Sequence, residues 1–180
     1  MRKILLLVCI ALINFSTYGQ SYLGWATKQV NLREGPGTEY PIVKSLKGGA
    51  QIFIVSKETN DDFYPVIDIK SNTEGFIHKS FVKFGERVYE NEPGLFNHEG
   101  SSLGYDSELE IHNDTSVTLT LKLNSERFSF SPHEKKTISI SPGSYSYIAS
   151  APGVQPNIGK ELLDHRSKYS WKFYIVTEQR

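Results

Sequence analysis

Five histidines, a single cysteine and twenty acidic side chains are the residues of this chain able to do chemistry. The histidines are His78, His98, His112, His133 and His165. Two of them on one helical face, three or four residues apart, would hold a catalytic zinc, but no H-E-x-x-H spacing occurs. A three-ligand zinc site would have to assemble from distant residues. No G-x-S-x-G turn exposes a serine nucleophile, and no G-x-x-x-x-G-K-[ST] loop cradles a phosphate. The carboxylates lie scattered at turns, where a solvated face accounts for them. Cys9 lies inside an N-terminal apolar run, so a chain cleaved after that run holds no thiol, which excludes a cysteine nucleophile or a thiolate-bound metal. No catalytic residue, cofactor or metal ligand is assigned from the sequence.

The first nineteen residues have the order of an export signal. Arg2 and Lys3 form the charged start, Ile4 to Ile13 an uncharged apolar run, and Asn14, Ser16 and Thr17 a polar end before the small Gly19. The run is shorter than the roughly 20 residues that span a bilayer. Val8 precedes Cys9 and the run continues past it, which speaks against a lipid anchor there. Losing Arg2 and Lys3 from the twenty basic residues leaves eighteen against twenty acidic ones. That balance argues against nucleic acid as a partner, and against capture by anionic lipid. The expected location is the periplasm, the cell surface or the medium, with no membrane insertion after cleavage.

Apolar, strand-like patterning occupies two territories, residues 24–84 and 105–180. The stretch 85–104 between them is rich in Glu, Asn, Gly and Ser and reads as a linker. In the second territory Val117, Leu119, Leu121 and Leu123 alternate with Thr118, Thr120 and Lys122, which predicts a strand buried on one face and solvated on the other. Leu109 and Ile111, Phe128 and Phe130, and Ile138 and Ile140 repeat the spacing. Turn signals fall between them at Asn113-Asp114, Asn124-Ser125, Ser131-Pro132 and Pro142-Gly143. Asn113-Asp114-Thr115 spells a glycosylation sequon and is read as an Asx-type turn. A final strand over residues 169–177 places Tyr169, Trp171 and Phe173 on one face and Tyr174 on the other, one set core and the other a cross-strand aromatic patch. The Pro- and Gly-rich residues 150–159 form a stiff loop suited to recognition. The one helical candidate is residues 159–165, around Leu162 and Leu163.

In the first territory Val30-Asn31-Leu32 runs into Gly35-Pro36-Gly37, where two glycines able to take positive φ flank a rigid proline. Pro41-Ile42-Val43 restarts the strand, Lys47-Gly48-Gly49 turns it, and Ile52-Phe53-Ile54-Val55 is wholly apolar. Phe63 to Ile69 is a further strand, and Gly75-Phe76-Ile77-His78 begins the last. The segment Asn31-Leu32-Arg33-Glu34-Gly35-Pro36-Gly37-Thr38-Glu39-Tyr40 opens a pattern continued by Lys47-Gly48, by Phe63-Tyr64 and by Gly75-Phe76-Ile77-His78-Lys79-Ser80-Phe81-Val82. In that order it resembles the bacterial SH3 (SH3b) family, N-x-R-x-G-P-G-x-x-Y followed by G-W-V-x-x-x-Y-L. Phe63 and Phe76 stand where that family often has tryptophan, so an indole N–H contact is lost.

The resemblance covers about sixty residues and implies an SH3-like barrel of five or six strands over 24–84. It also implies a ligand groove beside the loop from Arg33 to Tyr40, lined by Arg33, Tyr40, Phe63, Tyr64 and His78. The expectation is an all-β chain: a small barrel followed by an immunoglobulin-like or transthyretin-like β-sandwich over 105–180. It would be an exported, non-enzymatic binding or scaffold protein of the bacterial envelope, engaging cell-wall peptide or a protein partner. The rival reading is a cell-wall-processing hydrolase, or its accessory, with a zinc site in the C-terminal domain. Mass spectrometry of the native protein is expected to find its N-terminus between about Gly19 and Tyr22; a chain starting at Met1 would contradict export.

Overall fold

The structure, a computed structural model, describes residues 20–92 and 94–175, so the segment 1–19 expected to be an export signal and the residues past Ile175 lie outside it. The described chain is all-β, as expected. The first territory holds β1 (Ser21–Ala26), β2 (Val30–Arg33), β3 (Ile42–Leu46), β4 (Gln51–Ile54), β5 (Phe63–Asp68), β6 (Thr73–His78), a short 3-10 turn (Lys79–Phe81) and β7 (Val82–Val88). These strands form one sheet in the order β3-β2-β6-β5-β4-β1-β7. It curls around a single core in which Leu32, Leu46, Ile52, Ile54, Val66 and Ile77 are buried, with Tyr22, Tyr64 and Phe84 packed against them. Every strand contributes to that core. Close crossing of strands needs a residue without a side chain at Gly75, where a Cβ would meet the Arg33 carbonyl oxygen at 2.5 Å and the Leu32 side chain at 2.7 Å.

The second territory holds β9 (Ser107–Asn113), β10 (Leu119–Leu123), β11 (Glu126–Phe130), β12 (Lys135–Ile140), β13 (Gly143–Ser150), β14 (Asn157–Leu163) and β15 (Ser167–Phe173), and it is joined by β8 (Asn97–Ser101). Two four-stranded sheets result, β11-β10-β13-β14 and β12-β9-β15-β8. They face each other across a core containing Leu109, Ile111, Leu119, Leu121, Leu123, Phe130, Ile138, Ile140, Tyr147 and Leu163. Tyr169 is buried in that core, and Trp171 and Phe173 pack against it, while Tyr174 stays exposed. β15 runs parallel to β9 and antiparallel to β8.

Three expectations are corrected. The stretch 85–104 is not merely a linker: its first residues extend β7 to Val88, and Asn97–Ser101 is the edge strand β8. Edge strands carry polar side chains because one side of their ladder meets water, so composition alone does not separate them from loops. Residues 159–165 are not helical. Gly159, Glu161 and Leu163 are buried while Lys160 and Leu162 are exposed, the alternation of a strand, and β14 pairs with β13 from Gly143↔Leu163 to Ala149↔Asn157. Gly35 and Gly37 do not take positive φ. They are small because the Tyr40 ring lies where a Gly35 Cβ would stand, and the Glu39 carboxylate where a Gly37 Cβ would stand.

Nor is the outer face of β10 solvated. Thr120 is buried, and the Asn72 side-chain amide donates to Thr120 Oγ1 at 3.2 Å and to the Ser150 carbonyl at 3.4 Å. The curled sheet of the first territory packs against β10, β13 and β14. Phe53, Ile67 and Ile69 from one side meet Ile148 and Ile158 from the other in a third buried apolar cluster. At its rim Glu74 accepts from Lys122 Nζ and Arg127 Nη1, each at 2.9 Å. Of the segment 150–159, expected to be a stiff loop suited to recognition, residues 151–156 form the loop between β13 and β14, and Gly153 N there donates to the Ile69 carbonyl at 2.8 Å. The sheet β11-β10-β13-β14 is therefore covered on both faces, and the two territories share an interface.

Asn113 shows how the sequon is used. Its side chain is buried; its amide donates to the carbonyls of Val117, Phe130 and Ser131 at 2.8, 3.1 and 2.9 Å, and its carbonyl accepts from Thr115 Oγ1 at 2.7 Å. The threonine that completes the sequon thus closes the turn that the asparagine organises.

Phe53 fills the interface and is fully buried, so Phe53→Ala is expected to lower stability by about 3–5 kcal/mol in denaturant unfolding. A loss below about 1 kcal/mol would mean the interface adds little. A second expectation concerns acid. Asp68 is buried on β5; burial pushes its pKa up, but hydrogen bonds from Lys44 Nζ at 2.7 Å and Ser71 Oγ at 2.5 Å, with the Lys44 charge, outweigh that and hold it below the ordinary carboxylate range. A carboxylate with a depressed folded pKa stabilises above its unfolded pKa, near 3.9, and loses that contribution as pH falls through the folded value. Melting followed from about pH 5 downward should therefore fall more steeply in the parent than in Asp68→Asn, whose neutral amide is already without the contribution at neutral pH.

Candidate functional site

The clearest concavity among the residues expected to bind lies at one end of the curled sheet. It is a groove of about 660 Å³ between the turn that precedes β2, the end of β6 and the 3-10 turn. Its floor is aromatic. Phe63 is buried and meets the His78 ring edge-on, with centroids 5.2 Å apart at 85°. His78 in turn lies 5.8 Å from Phe81. Lys28 Nζ sits 4.5 Å above the Phe81 ring, a cation over an aromatic face.

Local sequence explains why these rings stand together. Phe63 and His78 are direct cross-strand partners in the β5–β6 ladder, which brings their side chains to one face. His78 ends β6 in extended conformation and caps the 3-10 turn, its Nδ1 accepting from Ser80 N at 3.3 Å, with Ser80 Oγ 2.8 Å away. Below it, the turn before Phe63 places Asp61 and Asp62 at φ 46° and 67°, left-handed conformations that Asp tolerates better than most residues. Asp62 is stapled to the 3-10 turn by Lys79: the Lys79 N–H donates to the Asp62 carbonyl, and Nζ meets Oδ1, both at 2.8 Å. The hydrogen bond and charge of Lys79 hold the exposed Asp62 carboxyl below its usual pKa, and Lys79 is raised in return.

Of the five side chains expected to line the groove, Arg33, Phe63 and His78 do so. Arg33 also clamps the loop, donating from Nη1 to the Tyr40 carbonyl at 2.7 Å. Tyr40 and Tyr64 do not line it. The exposed Tyr40 ring lies against Gly35 and braces the loop. Tyr64, next in chain to Phe63, projects from the opposite face of β5 and packs edge-on against Phe84 at 5.2 Å in the barrel core. Lys28, Gln29, Val30, Asn31, Thr38, Ser80 and Phe81 complete the lining and were not anticipated. The spacing of Phe81 three residues after His78 was the available signal, since a turn of 3-10 helix brings i and i+3 onto one side.

The second territory offers less. Among the described residues, no group of three or more His, Cys, Asp or Glu side chains is placed to hold a metal ion. His98 packs on Tyr169 and His165 stacks on Tyr105, well apart in the chain and in different contacts. A cavity of about 380 Å³ between β1, β7 and the β13–β14 hairpin is bordered by the buried Tyr147. Burial first, then the nearby Glu161 and Glu90, push the Tyr147 phenol up to about 12, so it stays neutral and serves as a donor rather than a base. Burial also raises Glu161, against the pull of the Phe96 and Leu95 N–H groups that it accepts. That carboxylate ties the polar stretch before β8 to β14.

Residues 28–83 match the family model of the bacterial SH3 domain. The match spans β2 to the start of β7 and includes the whole aromatic floor of the groove. No curated protein matches the chain, and no solved structure does.

The two tyrosines provide a check on this placement. Tyr64→Ala, which empties part of the core, is expected to cost about 3 kcal/mol in chemical denaturation, and Tyr40→Ala less than about 1 kcal/mol. Similar losses for both would put the Tyr40 ring in the core.

Proposed function

We propose that this chain is an exported, non-catalytic binding module of the bacterial envelope, whose SH3 groove engages an extended peptide of the cell wall or of an envelope protein. Bacterial SH3 domains often bind cell wall or proteins, and that family match covers the groove-forming residues. The observation that carries the reading is the groove itself. A preformed aromatic floor of Phe63, His78 and Phe81 lies beside a loop already ordered by the Arg33 clamp. Such a surface offers flat rings to a peptide and loses little entropy on binding, because neither the loop nor the rings must be ordered first. Export rests on the order of residues 1–19, and no helix among the described residues is long and apolar enough to cross a membrane.

The sandwich acts in this reading as a rigid support and second surface, with the barrel docked on it through Phe53, Ile67, Ile148 and Ile158. The test is co-sedimentation of the chain lacking residues 1–19 with purified insoluble peptidoglycan, beside Asn31→Trp. Asn31 is exposed on β2 at the groove, so tryptophan there fills the groove without touching a core. The parent is expected to sediment and Asn31→Trp to remain in solution with unchanged melting. Equal sedimentation of the two would remove the groove from the binding site. Failure of the parent to sediment, together with capture of an envelope protein that Asn31→Trp does not capture, would assign the groove to a protein partner.

A further inference from the structure

Resting on the reading of the groove as a peptide site, we infer that it selects peptides carrying free carboxylates, with Lys28 and Arg33 as the groups that hold them. The observation is an imbalance of hydrogen-bonding character. The charged groups lining the groove are Lys28 and Arg33, and no aspartate or glutamate lines it. The nearest carboxylate in sequence to the floor, Asp62, is already paired with Lys79.

The basic groups keep donors to spare. Lys28 forms none of the ion pairs present among the described residues; its ammonium faces the Phe81 ring, which supplies no lone pair. Arg33 commits Nη1 to the Tyr40 carbonyl, and a guanidinium has five N–H donors, so most remain available. His78 lies beside them, its Nδ1 accepting the Ser80 N–H and its ring on the groove floor. A groove with an aromatic floor and a surplus of donors complements an acceptor-only group on an otherwise flat, extended chain. A carboxylate is that group on a peptide, and two fixed cations also exclude ligands of like charge.

The chain is close to neutral, and several basic side chains elsewhere are met by acidic ones, as Lys135 meets Glu110, Lys168 meets Glu108 and Lys172 meets Asp114. Within the groove the two cations have no carboxylate among the lining residues. Binding of a carboxylate peptide there would weaken as salt is raised, since both cations face solvent.

The experiment uses the chain lacking residues 1–19 and the stem pentapeptide alanyl-γ-glutamyl-lysyl-alanyl-alanine, in free-acid and fully amidated forms, titrated by calorimetry at low salt. The free acid is expected to bind about ten-fold more tightly than the amide, the scale of one charge-assisted hydrogen bond. Lys28→Met should remove most of that preference, and Lys28→Arg should retain it. Equal affinity for acid and amide overturns the carboxylate inference and leaves the peptide groove standing. A preference that survives Lys28→Met overturns the assignment to Lys28, because the carboxylate would then be read by another group. Binding of neither form overturns the reading of the groove as a wall-peptide site and this inference with it.

Discussion

Burial of two sheets against each other, face to outer face, is the constraint on which the rest of this molecule depends. Phe53 and Ile67 leave the barrel's own core and enter a second apolar layer with Ile148 and Ile158. Strand β4 is thereby buried on both sides, Ile52 and Ile54 inward and Phe53 outward. β13 is in the same position, with Tyr147 and Ala149 in the sandwich core and Ile148 in the interface. A sheet of about seventy residues buries a smaller fraction of its surface than a larger domain does, and a shared layer adds apolar burial without adding chain. Polar groups at the edge then set the register: Asn72 reaches Thr120 and Ser150, and Glu74 answers Lys122 and Arg127. These rim contacts are partly exposed and contribute orientation more than energy.

The groove depends on that frame indirectly. Its floor is built by cross-strand pairing at the far end of β5 and β6, whose other ends, at Ile67, Ile69 and Asn72, carry the interface. The two surfaces share no residue. A ligand in the groove therefore does not compete with the packing of the domains, and the strands between them link one to the other without a joint.

Much of this was legible in the residues. The SH3 landmarks located strands of the first territory, and period-two alternation found β9 to β12, because in each of these strands the inward face is mainly apolar while the other carries polar side chains. The missed features share a cause: partners distant in sequence. Ile52-Phe53-Ile54-Val55 was visible as wholly apolar, and such a run marks a strand covered on both faces, but nothing local says what covers the second. Thr120 and Lys122 looked solvated for the same reason, since their cover, Asn72 and Glu74, comes from another domain. β8 reads as linker because Asn97, His98 and Glu99 are exposed and only the ladder to β15 makes them a strand. Tyr40 and Tyr64 were both placed in the groove because neighbouring residues on a strand look alike in a motif, although pleating sends Phe63 and Tyr64 to opposite sides.

The position of β15 has a consequence for how the molecule is made. It is the last described strand, yet it lies inside its sheet, between β9 and β8, and its partner β9 lies some sixty residues earlier. Until residues 167–173 arrive, β8 has no ladder partner and β9 lacks one of its two. A chain delivered from its N-terminus would hold that sheet open, its edges unsatisfied, until residues 167–173 emerge. Loss of a few residues from the C-terminal side of Ser167 is therefore not a trimming of the surface but removal of the strand that seals the fold.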